Sequence, residues 1–156
     1  MLPSVTSTRL RDQLSNFEAL FSHVGQEAWE AKPSPAKWSA RENLAHLGRY
    51  HEILLHRVRR ILEEDGPQFA RYRAELDQEW PSWSSLPVQV VQQRIRELRS
   101  ELITLLGTLR EPQLERTGSH PILGELSIPQ WLEFFLLHEA HHLYAILFEL
   151  RAQVSF

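Results

Sequence analysis

The chain contains no cysteine. Disulfides, a thiolate nucleophile and cysteine-based zinc sites are therefore excluded, and any thiol chemistry must use sulfur that the substrate brings. A strong charge of one sign is also missing. The net charge is -3 and the pI near 6.2, which supplies no basic field for a phosphate backbone and argues against nucleic-acid binding as the main activity. No apolar run is long enough to cross a bilayer, so no membrane partner is expected. The opening residues, Met1-Leu2-Pro3-Ser4-Val5, lack the basic start, apolar stretch and small-residue cleavage site of a secretory signal. A cytoplasmic protein is the expectation.

What is present is an average globular composition, with 42% hydrophobic and 24% charged residues. A chain of 156 residues suits one domain spanning 1–156, able to bury about 70% of the surface its unfolded form exposes. Helical periodicity dominates, and no alternating strand pattern stands out. The expected fold class is all-α, with four helices. The first, over Thr6 to Ala31, carries Leu10, Leu14, Phe17, Phe21 and Val24 and stops before Pro33 and Pro35. The second begins at the capping box Ser39-Ala40-Arg41-Glu42 and runs toward Asp65-Gly66-Pro67, with Leu44, Leu47, His51, Leu54, Val58 and Ile61 as its seam. The third follows Ser84 or Ser85, with Pro87 in its first turn, and repeats Val91, Ile95, Leu98, Leu102, Leu105 and Leu109. The fourth starts at the box Ser127-Ile128-Pro129-Gln130 and runs to about Arg151 along Trp131, Phe135, His138, His142, Ala145 and Glu149. The connection 68–83 holds Phe69, Tyr72, Trp80 and Trp83. Aromatic residues in so long a loop either cover a pocket or, more commonly, roof the core.

Two histidines in the fourth helix occupy places where a bundle wants leucine. An unsatisfied buried polar group costs about 1–3 kcal/mol, so each ring needs a partner. Residues four apart share a helix face, so His138 and His142 can aim at one point, where a divalent ion would satisfy both. Zinc, nickel or iron would suit imidazole ligands. A third ligand could come from His23, His46, His51, His56 or His120, and periodicity favours His51.

The segment Trp38-Ser39-Ala40-Arg41-Glu42-Asn43-Leu44-Ala45-His46-Leu47, together with His138-Glu139-Ala140-His141-His142-Leu143, resembles the signature of the DinB/YfiT-like superfamily of metalloenzymes. The run His120-Pro121-Ile122-Leu123-Gly124 is similar to what that family shows as well. The resemblance implies a four-helix bundle of the DinB/YfiT-like type holding one divalent metal ion through His46, His138 and His142. It thereby selects His46 over His51. Family members often carry an aspartate three residues after the first ligand, where this chain has Arg49, so a proton-transfer role does not carry over to that position.

His138-Glu139-x-x-His142 also reads as H-E-x-x-H, the zinc metalloprotease motif with glutamate as general base. Against this, only fourteen residues follow His142, and no strand is evident to align a peptide. His141 and Glu139 each point roughly 80° off the His138/His142 midline. His51, Glu139 and His141 are therefore candidates for orienting ligands or lining the pocket.

Three neutral imidazoles leave the cation's charge uncompensated, so a bound water or thiol is acidified. The resemblance implies two uses, activation of a low-molecular-weight thiol for transfer or isomerisation, and metal-dependent hydrolysis. A non-catalytic helical module with a structural metal or none is the alternative from another class. No individual catalytic residue is identified. A small-molecule substrate and a homodimer through amphipathic faces are the expected partners.

Overall fold

The computed structural model describes residues 1–153. In chain order its elements are α1 (Ser4–Leu20), α2 (Gln26–Glu30), α3 (Ala40–Glu63), α4 (Trp80–Ser84), α5 (Val88–Gly107), α6 (Glu111–Leu114), the strands β1 (Thr117–His120) and β2 (Gly124–Ser127), and α7 (Ile128–Leu150). The four long helices, α1, α3, α5 and α7, form the bundle. Among the described residues no helix is long and apolar enough to cross a membrane.

The two capping boxes work as their sequences demand. The Glu42 amide donates to the Ser39 hydroxyl at 3.2 Å and the Ser39 amide donates to the Glu42 carboxylate at 2.8 Å, which starts α3. At α7 the Ser127 amide donates to the Gln130 side chain at 2.8 Å. α3 is the central rod and packs on both α5 and α7, while α1 leans mainly on α7.

Two apolar layers fill the bundle. One contains Leu10, Leu54, Leu102 and Phe135; the other contains Leu14, Leu44, Ile95 and Leu143. Fully burying such side chains contributes about 1.5–3 kcal/mol each. Between the layers lies a polar one, to which each long helix sends a residue: Gln13, His51, Arg99 and Glu139.

Three sequence expectations need correction. The first helix does not reach Ala31. It stops at Leu20, the amides of Phe21 and Val24 close turns on Glu18 and Phe21, and α2 follows after Gly25. Phe21 and Val24 kept the apolar spacing going and so concealed the turn. A hairpin that periodicity did not indicate precedes α7, with Thr117 opposite Ser127 and His120 opposite Gly124. Gly124 sits at φ 74°, the left-handed region that a side chain disfavours. Finally, the core face of α7 runs through Leu132, Leu136, Glu139, Leu143 and Ile146. His138 and His142 lie half-buried at its edge, with Ala145 and Glu149.

The 68–83 connection divides its aromatic group. Phe69 and Trp83 are buried core residues, whereas Tyr72 and Trp80 turn toward His46. Trp83 rests on Gly48 of α3, where a Cβ would overlap the indole ring, and donates to Glu52 at 2.9 Å. Arg49 grips Asp77 with two hydrogen bonds, 2.6 and 3.1 Å, and Glu52 with a third at 2.9 Å. Arg49 thus anchors this connection.

Candidate metal centre

His46 projects from α3, and His138 and His142 project from α7. One ring nitrogen from each lies within 4.8 Å of the others. The Nε2 atoms of His46 and His138 are 3.1 Å apart, close to the roughly 3.3 Å between two tetrahedral ligands placed 2.0–2.1 Å from a shared ion. In that contact only one of two neutral rings can donate from Nε2, and their buried Nδ1 atoms have no partner. A cation accepting both Nε2 lone pairs fits them better than their mutual contact does.

The third ring is oriented by a residue that the periodicity argument did not single out. Asn43, three residues before His46 and on the same face of α3, donates from its amide nitrogen to the Ser39 carbonyl at 3.1 Å and to Glu149 at 3.4 Å. Its Oδ1 is thereby turned to His142, whose Nδ1–H donates to it at 2.9 Å. That bond selects the tautomer with a free Nε2 lone pair, which is the form a metal needs. The signal in the sequence was the i, i+3 spacing of Asn43 and His46. Burial, then repulsion from Glu42, raises the Glu149 carboxyl to about 7.

Burial, reinforced by the neighbouring imidazoles, pushes His46, His138 and His142 each down to about 3. All three are neutral at pH 7 and have their lone pairs available. Trp38 lies 4.9 Å from the His46 ring, Tyr50 lies 4.2 Å from His138, and Tyr72 stacks 5.5 Å from His46. Two cavities open on the cluster. One, of about 550 Å³, reaches His46 and His142 beside Trp38, Arg73 and Glu75. The other, of about 300 Å³, reaches His46 and His138 beside Tyr50, His120 and Phe134. Arg71 and Tyr72 line both. Two clefts of about 570 and 580 Å³ elsewhere touch none of the three histidines.

The remaining candidates fall elsewhere. His51 is buried in the polar layer, its Nδ1–H donating to the Leu47 carbonyl at 2.6 Å, and it makes no hydrogen bond to the three clustered histidines. Glu139 is fully buried and points away from both cavities, paired with Arg99 and accepting from Gln13 at 2.9 Å. It therefore orients none of these rings, and it is not placed as the base that H-E-x-x-H would require. His141 is exposed and meets only the edge of the His142 ring. His23 and His56 are exposed as well.

The DinB superfamily pattern matches residues 9–146. The chain belongs to the DinB superfamily. Within it, the chain is 27% identical over 135 residues to YuaE of Bacillus subtilis, covering 77% of this chain and 82% of that protein. It is 30% identical over 105 residues to a Bacillus cereus (strain AH820) protein provisionally named a metal-dependent hydrolase, covering 67% of this chain and 60% of that one. The chain thus spans about three fifths of such hydrolase-named relatives. Among solved structures it is similar to YfiT of Bacillus subtilis, described as a probable metal-dependent hydrolase with an unusual four-helix bundle topology. The TM-score is 0.81 at 19% identity, over 95% of this chain and 85% of that chain. TT2238, a four-helix bundle protein, matches with a TM-score of 0.62 at 23% identity, over 90% of this chain and 94% of the other. These two likenesses establish the DinB/YfiT-like bundle.

Proposed function

We propose that His46, His138 and His142 hold one divalent ion, zinc, nickel or iron, through their Nε2 atoms, and that the protein uses it to activate a low-molecular-weight thiol for transfer or isomerisation. A bound ion of this kind supplies Lewis acidity that makes a thiol or water reaching it a nucleophile near neutral pH. The chain's own residues do the rest. Asn43 keeps the His142 lone pair turned inward, Trp38 and Tyr72 shield the cluster from bulk water, and the two cavities give separate approaches to one point.

The observation that carries the thiol reading is that no buried carboxylate lines either cavity, Glu149 reaching the site only through the Asn43 amide. Glu139 is committed to Arg99, residue 49 is an arginine, and the one carboxylate lining either cavity is the exposed Glu75. Activating water usually calls for a general base as well, whereas a thiol, far more acidic to begin with, needs only the ion. Metal-loaded protein should turn over with at least one of glutathione, bacillithiol or mycothiol plus an electrophile, and chelation should abolish it. No binding of any cellular thiol to the loaded protein would end this reading. Hydrolysis is the second reading, favoured by the names of the relatives. Amide and ester probes cleaved only without chelator would select it.

A further inference from the structure

The smaller cavity contains a donor that the metal proposal does not use. His120 ends β1 and is 8% exposed. Its Nδ1 accepts the backbone N–H groups of both Ile122 and Leu123, each at 3.2 Å. A nitrogen accepting two amides cannot carry a proton, so the proton of the neutral ring is fixed on Nε2. Among the described residues Nε2 has no hydrogen-bond partner, and it is absent from the buried unpaired nitrogens that include Nδ1 of His46 and His138. The hairpin therefore presents one N–H of fixed tautomer on a residue that lines the chamber reaching His138.

The charge around this donor has one sign. Arg71 lines the chamber and forms no ion pair among the described residues, and no carboxylate lines it. Behind the Tyr50 wall, Arg57 is 5% exposed. It also has no ion pair, donating to the Tyr50 hydroxyl at 3.3 Å and the Ala70 carbonyl at 2.9 Å. Burial first, then the charges of Arg57 and Arg71, hold His120 below its ordinary value, which favours the neutral ring that the two amides require. A half-enclosed space with an N–H of fixed tautomer, a free guanidinium and a second positive charge behind its wall favours an anion.

From this arrangement we infer that His120 and Arg71 form an oxyanion subsite, taking a carboxylate or phosphoryl group of the substrate on the His138 side of the cluster. The inference rests on the metal-centre reading for its link to catalysis, but not for binding itself. His120 is then a residue that fixes which end of the substrate enters the chamber. An anionic group held there leaves the reacting end to face the histidines.

The test is an NMR titration of ¹⁵N-labelled protein, metal-free and zinc-loaded, with benzoate, phenylphosphonate and the neutral benzamide. The amides of Ile122 and Leu123 report on the chamber. Benzoate or phenylphosphonate should shift them and bind at least about tenfold more tightly than benzamide, with or without zinc, and the preferred anion identifies the group. His120→Asn keeps an acceptor for the two amides but withdraws the N–H at the ring tip, and it should abolish the preference while the hairpin shifts stay in place. His120→Gln, which carries an N–H near the Nε2 position, should recover part of it. Arg71→Gln should reduce it. Equal binding of benzamide and the anions, or a preference that survives in both His120→Asn and Arg71→Gln, overturns the subsite. So does a preference seen only with zinc, which assigns the anion to the ion. A chain that takes up no zinc yet retains the anion preference sinks the metal reading and leaves the subsite standing.

Discussion

His138 and Glu139 are neighbours in sequence and belong to opposite kinds of buried polar cluster. Glu139 enters a layer to which each long helix contributes, with Gln13, His51 and Arg99 around it. There the carboxylate and guanidinium neutralise each other. Burial outweighs the pairing, so the Glu139 carboxyl stands above its ordinary value and the Arg99 guanidinium below its own, each offset in part by the other's charge. His138 enters a cluster drawn from α3 and α7 only, where the groups are all of one type and neutral. Each cluster keeps two buried nitrogens without a partner, Nε2 of His51 and Nε of Arg99 in the first, Nδ1 of His46 and of His138 in the second. What separates them is the ion pair, which ties helices together in the closed cluster, whereas the open one faces two cavities that a ligand can enter.

That contrast can be broken on either side. The largest effect should come from Glu139→Ala, which strands the Arg99 charge and should cost about 3–5 kcal/mol in urea unfolding. Glu139→Leu combined with Arg99→Met should recover much of that loss. On the open side, His138→Leu should leave the metal-free fold as stable or more so, while metal affinity measured by calorimetry falls at least about 100-fold, or about 2.7 kcal/mol. Asn43→Ala should weaken metal binding about 10- to 100-fold by releasing the His142 tautomer, with the metal still bound at stoichiometric loading. Equal stability losses for the Glu139 and His138 replacements would erase the distinction.

The smallest effect is in pH. The three imidazoles have folded values near 3, well below an unfolded value of about 6.5. Unfolding therefore takes up protons, so stability is fully present above about pH 6.5 and is lost as pH falls toward 3. Between pH 7 and 6.5 the metal-free protein should lose about 0.7 kcal/mol, read by urea midpoints. The variant with all three histidines replaced by leucine should show a flatter profile.

The bundle was legible wherever a start signal and a helical period agreed, as at Ser39 and Ser127. It was illegible where apolar spacing ran through a turn, as at Phe21 and Val24, and where strands were too short to show alternation, as in Thr117–His120. The cluster itself needed the family resemblance. Periodicity alone pointed to His51, which is indeed on the buried face of α3, because that argument finds the centre of a core and the three-histidine cluster sits at its edge. For the same reason α7 misled. It is apolar around most of its circumference, with Leu137, Tyr144 and Phe148 exposed, so the face bearing its histidines read as the middle of the seam. Glu139, the buried one, read as a flank.

Gly48 and Trp83 carry a consequence for descent. The indole occupies the space a Cβ would need, so residue 48 cannot gain a side chain while Trp83 stays in place. A related chain with alanine or a larger residue at the first must have a smaller ring, or none, at the second. Such paired exchange should mark lineages in which the 68–83 connection was rebuilt, and with it the walls of the two cavities at the histidines.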